Sequence, residues 1–358
     1  MPSSQRGPGS GTPVAFRIGA VSRELTRAAV AAVQAPSVLN TQPWHWRIAG
    51  DAALLYADRR RRLAALDPSG RMLVVSCGAA LHHACVTLAA EGAGFTVEPF
   101  PEGEGDLLAV IRYRGPAAPS VRAQRLHSAI PVRSSDRRPF AARPVPEPAL
   151  ERMRRAAQRV GAHLQLTWSR DLTDIATAAG QATAAMLSDP ACRSELAAWV
   201  RRPGEGDDGV PLDTVAPPGA RPVPLRDFTG TGGGPSITSE VDVGDREARY
   251  GVVVTDGDGP NDWLTAGVAL SAVMLTATAE HLATSAMSDL VEREVSRRTL
   301  RHMLGGVGYP AIGLRIGVPA AGPAPPRAPR RPAIEIVEVV ADPVPADGSP
   351  SGGAAADA

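Results

Sequence analysis

Ser37, Asn40 and Gln42 fall within one short stretch, Ala35 to Trp46, that reads APSVLNTQPWHW. A hydroxyl and two amides present donors and acceptors together, Pro36 and Pro43 stiffen the backbone, and Trp44 and Trp46 add flat apolar faces in a chain only 4% aromatic. Such a set suits a heteroaromatic ligand with a polyhydroxyl chain, amides reading ring edges and hydroxyls reading the chain. A Ser/Asn-stabilised turn after a helix accounts for Ser37 and Asn40 as well, though not for the whole string.

Arg133, Ser135 and Arg137 alternate in RSSDRRPF. In extended backbone all three project from one face, and two guanidiniums with a hydroxyl make a cradle for a phosphate dianion. The competing reading is a helix N-cap at Ser134, Ser135 or Asp136 with solvated arginines. Arg327, Arg330 and Arg331 form a second cluster among prolines, which on its own reads as a charged rim. The run Arg59 to Arg62 reads as a solvated face. CGAALHHAC places Cys77 and Cys85 about two helical turns apart, too far to share a metal, so no metal site is read there. Hydrolase, zinc-protease, P-loop and G-x-G-x-x-G fingerprints are absent, and the GTGGG run at 230–234 lacks a strand-to-helix context.

These residues have to be positioned by a chain of 358 residues, 44% apolar, enough for one large or two ordinary domains. Net charge is +1 and every Lys-or-Arg position is Arg, a balance that makes nucleic acid an unnatural partner. Three cysteines argue for a reducing compartment. The opening MPSSQRGPGSGTP carries no apolar leader, and the run Leu264 to Ala279 falls short of a membrane span. A cytoplasmic protein without membrane contact is the expectation.

Apolar spacing at Val21, Leu25, Ala28, Ala29 and Ala32 predicts a helix ending before Pro36. Strands follow at HWRIAG and AALLYAD, joined by a hairpin at Gly50-Asp51. A long small-residue helix comes next, then the strands FTVEPF and LLAVIRYR. In the second half EPALERMRRAAQRVGA reads as a helix, HLQLTWS and RYGVVVTDGD as strands, DWLTAGVALSAVMLTATAEHLATSAM as one buried helix, RRTLRHMLG as a helix and AIGLRIG as a strand. Residues 203–242 lose apolar periodicity and read as a long loop of the kind that covers a site. SCGAALHHACVTLAAEG and TAGVALSAVMLTATAEH align without gaps, which suggests two similar lobes about a pseudo-two-fold axis; two unrelated core helices would look the same.

APSVLNTQPW matches the P-S-x-x-N-x-Q-P-W signature of the FMN-dependent nitroreductase family, and RSSDRRPF resembles that family's phosphate-binding R-x-S-x-R stretch. With DPSGRMLVVSCGAAL, DWLTAGVAL, LRIG and the late RRP, the chain resembles the Acg-type, single-chain actinobacterial branch from about Ala28 to Val340. The resemblance implies an α+β, nitroreductase-like fold. Two similar lobes, each a mixed or antiparallel sheet flanked by helices, would form an intrachain pseudo-dimer. The implied division is a disordered 1–16, a first lobe 17–125, a second lobe 126–341 with the lid-like loop 203–242, and a disordered tail 342–358.

One FMN site is implied, with Pro36, Ser37, Asn40 and Gln42 from lobe one and Arg133, Ser135 and Arg137 from lobe two. Arg330 or Arg331 would complete the phosphate clamp. NAD(P)H is the implied electron donor and a small molecule such as a nitroaromatic or quinone the acceptor. FMN carries the chemistry, so no catalytic side chain is assigned. The implied assembly is a monomer or weak homodimer. If the 203–242 loop covers the ring, the resemblance also admits an FMN-sequestering or redox-sensing protein with little turnover.

Overall fold

The computed structural model describes residues 16–17, 19–167, 171–201, 204–215, 221–228, 245–340 and 342–343. A two-residue strand β1 (Phe16–Arg17) is followed by α1 (Ala20–Ala32), β2 (Trp44–Ala49), β3 (Ala52–Ala57), α2 (Arg71–Glu91), β4 (Ala93–Pro99), β5 (Leu107–Pro116) and α3 (Val121–Ala129). The second half runs α4 (Glu147–Gln158), β6 (His163–Leu166), α5 (Leu172–Ser188), α6 (Pro190–Ala198), β7 (Val200–Arg201), β8 (Val210–Pro211), β9 (Arg249–Thr255) and α7 (Pro260–Ala279). It closes with β10 (Ala283–Met287), α8 (Asp289–Glu292), α9 (Glu294–Met303), β11 (Tyr309–Gly317), α10 (Ala333–Ile336), β12 (Val337–Val340) and β13 (Asp342–Pro343).

One sheet has the order β12-β2-β3-β5-β4 and the other β6-β9-β11-β10. Leaving β12 aside, the two orders are the same. Each begins with the strand after the first helix of its half, pairs it with the strand before the central helix, and adds the two strands that follow that helix. All these pairings are antiparallel. The fold is α+β, with helices against each sheet.

The aligned small-residue runs are the central helices α2 and α7, and they cross at equivalent glycines. A Cβ on Gly78 would stand 3.0 Å from Gly267 Cα, and one on Gly267 would stand 2.9 Å from Gly78 Cα. Both helices are long and apolar enough to span a membrane by length and composition. Their apolar surface is spent within the fold: Cys77, Ala80, Val273 and Met274 are fully buried.

Several expectations need correcting. The run expected as one helix to Met287 stops at Ala279, where His281 takes φ +58, and Ala283–Met287 pairs with β11 as a strand. Helices α5 and α6 were not anticipated. Strand β12 was assigned to the second lobe, yet it lies parallel to β2 in the first sheet, Val337 opposite Trp46. At the ends, Phe16–Arg17 pairs with Asp342–Pro343, although Phe16 and Asp342–Pro343 fall in spans expected to be disordered. Trp44 and Trp46 offer no face to a ligand: both are fully buried in the first core, on the same side of β2. Of the 203–242 segment, 204–215 and 221–228 are described; the GTGGG run lies outside the described residues.

A candidate site between the two sheets

The loop between α1 and β2 is held in backbone conformations that L residues rarely adopt. Leu39, Asn40 and Gln42 have φ of +44°, +56° and +48°, each costing on the order of 1 kcal/mol. The compensating bonds are visible. Gln42 N donates to Ser37 Oγ at 2.9 Å, and Val38 N donates to Ser76 Oγ on α2 at 3.0 Å.

The side-chain amides tie this loop to two distant segments. Asn40 Nδ2 donates to Gly209 O and Pro329 O, both at 3.0 Å, and its Oδ1 accepts from Arg330. Gln42 Nε2 donates to Asp207 O at 2.8 Å, and Oε1 accepts from Arg331 N at 2.9 Å. Gln42 is completely buried. The expectation that Gln42 reads a ligand is therefore corrected: its donors and acceptor are consumed by protein backbone. Arg61, expected as a solvated arginine, is also a strut. It donates to Thr41 O, pairs with Asp208 and covers one face of Trp199, with Arg201 on the same ring.

Residues 133–137 run extended after α3, bridged at Ser135 to Thr284 of β10, and the N-cap alternative fails because the next helix, α4, begins only at Glu147, with Pro146 as its N-cap. Arg133, Ser135 and Arg137 face one cavity with Pro36, Ser37, Asn40 and Arg330. Arg133 is 6% exposed, and its Nε and one terminal nitrogen have no hydrogen-bond partner; Arg330 Nε is likewise unpartnered. No carboxylate among the described residues pairs with Arg133, Arg137 or Arg330 within 4.0 Å. Burial pushes the Arg133 guanidinium down to about 9, with Arg330 adding repulsion, and pushes Arg330 and Arg137 down to about 10. These groups keep their charge at neutral pH. The cavity is thus a concentrated, buried positive potential without its counter-ion. Arg331 faces elsewhere: its side chain lies 3.6 Å from Glu335 and 3.5 Å from Gln42 O. Of the two, Arg330 lines the cavity and Arg331 does not.

The cationic cavity opens into an apolar slot, sharing Pro36, Ser37, Ser135 and Arg137 as its border. Met72 and Val75 of α2, Leu270 of α7 and Ile312 of β11 form its apolar walls. Leu225, Arg226 and Phe228 line it from the covering segment, with Arg137 4.8 Å above the Phe228 ring. On the cationic side Val210, Pro211 and Thr214 close over the cavity, and Thr214 Oγ1 accepts from Arg137 at 3.2 Å. Sequence reasoning missed Thr214, Arg226 and Phe228. They stand in the Gly/Pro-rich stretch whose only signal was the loss of periodicity.

Below the cavity, at the α2/α7 contact, Ser271 Oγ lies 2.8 Å from His82 Nδ1 and 2.9 Å from His83 Nδ1. Burial drives His82 down to about 3 and His83 well below its usual value, so both are neutral core residues. Cys77 Sγ sits 3.2 Å from Pro43 O.

The arrangement fits a planar ring carrying a phosphate: unpaired guanidiniums at one end, an apolar slot at the other, and a hydroxyl-lined border between. No family model matches the chain. The Mycobacterium tuberculosis protein provisionally named NAD(P)H nitroreductase Rv3131 is 37% identical over 313 residues, 86% of this chain and 89% of that protein. The protein of the same organism provisionally named NAD(P)H nitroreductase acg is 30% identical over 332 residues, 89% of this chain and 97% of that one. Among solved structures, the FMN- and NADPH-dependent nitroreductase NfnB from Sphigopyxis sp. strain HMH aligns at 19% identity. It covers 60% of this chain and 97% of that one, with a TM-score of 0.35. A nitroreductase with bound FMN from Bacteroides fragilis aligns at 13% identity over 56% and 90%, with a TM-score of 0.36.

Proposed function

The chain belongs to the nitroreductase family, and we propose that it is an FMN-binding oxidoreductase that uses NAD(P)H to reduce a small flat acceptor of the nitroaromatic or quinone type. The observation that carries this reading is Arg133: a buried guanidinium with two unpartnered nitrogens, beside Arg330, whose Nε is also unpartnered, in a cavity that opens into an apolar slot. A phosphate dianion supplies the missing counter-ion, and FMN couples that phosphate to a ring of the slot's character.

Arg133, Arg330 and Arg137 would hold the phosphate, with Ser135 adding a donor. Ser37 and Pro36 border both compartments, where the ribityl chain would pass. Met72, Val75, Leu270 and Ile312 exclude water from the ring pocket, and Arg137 keeps positive charge along it. FMN, when bound, supplies hydride acceptance and donation between NAD(P)H and the acceptor.

One site per chain is part of the proposal. The repeated strand order and the Gly78/Gly267 crossing support a pseudo-dimer within the chain. The segment after α4 that corresponds to the Ser37 loop is only Arg159–Ala162 before β6 begins, too short to build a second copy.

A second reading is favoured by the covering segment. Residues 207–214 are bonded to Asn40, Gln42 and Arg61, and Leu225 and Phe228 already wall the slot. A protein so closed would sequester flavin rather than turn it over. The absorbance spectrum of the purified protein under anaerobic NADPH or NADH separates the readings. A flavin band that bleaches within seconds supports the oxidoreductase; a band that persists until dithionite is added, with activity appearing only after deletion of 205–235, supports the sequestering protein. A chain that takes up no FMN overturns both.

A further inference from the structure

The slot contains one acidic side chain that the reading above leaves without a task. Strand β10 forms part of its wall through Ser285, Ala286 and Met287, and the chain continues through Ser288 into Asp289 at the start of α8, also on the wall. Asp289 is 9% exposed and its Oδ2 has no hydrogen-bond partner. Across from it comes Arg226, whose guanidinium is claimed by Glu292 and reaches Ser288 Oγ at 3.4 Å. Two buried carboxyls therefore face one guanidinium, and the pairing goes to Glu292.

We propose that Asp289 is the proton donor of this site, a carboxyl in the slot wall that protonates the acceptor reduced there. This inference rests on the flavin reading. A quinone that accepts a hydride, two electrons with one hydrogen, from the reduced cofactor is left as a hydroquinone monoanion while the cofactor is oxidised. The Asp289 Oδ–H bond breaks, its proton forms the second O–H of the product, and the carboxylate left behind regains a proton from water. Charge balances, because the negative charge carried in by the hydride ends on the carboxylate.

The electrostatics agree. Burial raises the Asp289 carboxyl above the ordinary range against the pull of Arg226, and the charge of Glu292 adds a smaller push in the same direction as burial. The charged groups around it are Arg226 from the covering segment, Glu292 on its own helix and Arg293 just after, while α5 contributes Ala182, Thr183 and Met186. A carboxyl that stays protonated above its usual range and abuts an apolar slot has the character of a general acid.

The test begins with the flavin-free protein. Infrared difference spectra, parent minus Asp289→Asn, taken about one pH unit above the ordinary aspartate value of about 3.9, should show a protonated-carboxyl band from Asp289, with the Asp67 acid band cancelling because both proteins carry it. Glu292→Gln, which frees Arg226 to pair with Asp289, should move that band's midpoint to lower pH. The FMN-loaded protein is then reduced with dithionite, so that NAD(P)H plays no part, and mixed with a benzoquinone. Asp289→Asn should slow reoxidation on the order of 10²-fold and abolish its solvent-deuterium effect, while FMN affinity and reduction by NAD(P)H change less than about twofold.

Reoxidation at the wild-type rate overturns the proposal, as does a parent-minus-Asp289→Asn spectrum without an acid band or a midpoint of that difference band unmoved by Glu292→Gln. If the chain retains no FMN while the acid band behaves as expected, the flavin reading fails, and the catalytic role falls with it.

Discussion

Gly78 and Gly267 occupy equivalent places in two central helices and face each other across their crossing, each where a Cβ would run into the other's Cα and into backbone carbonyl. Backbone cannot rotate aside as a side chain does. Gly78→Ala and Gly267→Ala should each destabilise the protein by about 2 kcal/mol or more, read as a fall in the urea midpoint. Gly180 lies in the middle of α5 with nothing within 4 Å of an added Cβ, so Gly180→Ala should stabilise by about 0.5–1 kcal/mol.

Arg133 is a buried guanidinium with two unpartnered nitrogens. Arg133→Met should raise the melting temperature of the flavin-free protein, because the uncompensated charge is removed. In the parent chain inorganic phosphate should raise the melting temperature in a concentration-dependent way, and Arg133→Met should abolish that response together with FMN retention. A variant that remains fully loaded with FMN would remove Arg133 from the phosphate site.

Asp67 gives a pH signature. It accepts from Leu73 N at 2.9 Å at the start of α2, and burial raises its carboxyl from 3.8 to about 6. Its folded-state value exceeds the unfolded one, so its contribution is fully present below about pH 4 and is lost as pH rises through about 6, on the order of 3 kcal/mol in all. The stability difference between the parent and Asp67→Asn should therefore shrink in the parent's disfavour across that window, measured by urea unfolding at several pH values. A difference that is flat with pH would mean that Asp67 titrates normally.

Arg315 is fully buried, pairs with Asp245, and donates to Asp136 O at 2.7 Å and Arg138 O at 3.0 Å, the carbonyls on either side of Arg137. Its guanidinium lies 3.9 Å from the Phe140 ring centroid, and Asp245 also accepts from Phe140 N and Arg221. Asp245→Asn leaves two buried guanidiniums without their anion and should cost about 3–5 kcal/mol. FMN affinity should fall with it, because the strand presenting Arg137 loses its support. Full FMN affinity in a folded Asp245→Asn variant would break that link.

Gln42→Ala removes the bonds to Asp207 O and Arg331 N while touching no wall of the cavity. The covering segment should loosen, with FMN released several-fold faster and NAD(P)H reduction unchanged or quicker. Stopped-flow flavin fluorescence follows the release; an unchanged rate would show that the segment is held from elsewhere.

The parts of the site legible in the sequence are those set by local geometry. Alternation placed Arg133, Ser135 and Arg137 on one face because extended backbone has a period of two, and the aligned small-residue runs marked Gly78 and Gly267. Distant backbone was illegible. Nothing near Gln42 reveals that its amide is consumed 165 and 289 residues away, and neighbouring Arg330 and Arg331 differ only in what the folded chain puts beside them. Ala283–Met287 read as helix because its alanines continue those of α7, but pairing with β11 overrides that preference. Asp289 was invisible because its significance lies in Glu292 having already taken Arg226.

The closing arm sets when this molecule can be finished. Asn40 is bonded to Arg330, 290 positions later, and β12 is the edge strand beside β2. A nascent chain emerging from the ribosome therefore carries an open first sheet, and a cavity without Arg330, until residues 330–340 have been made. The cavity is completed only by residues made some 290 positions after Asn40, so a chain terminated before Arg330 should fail to retain FMN.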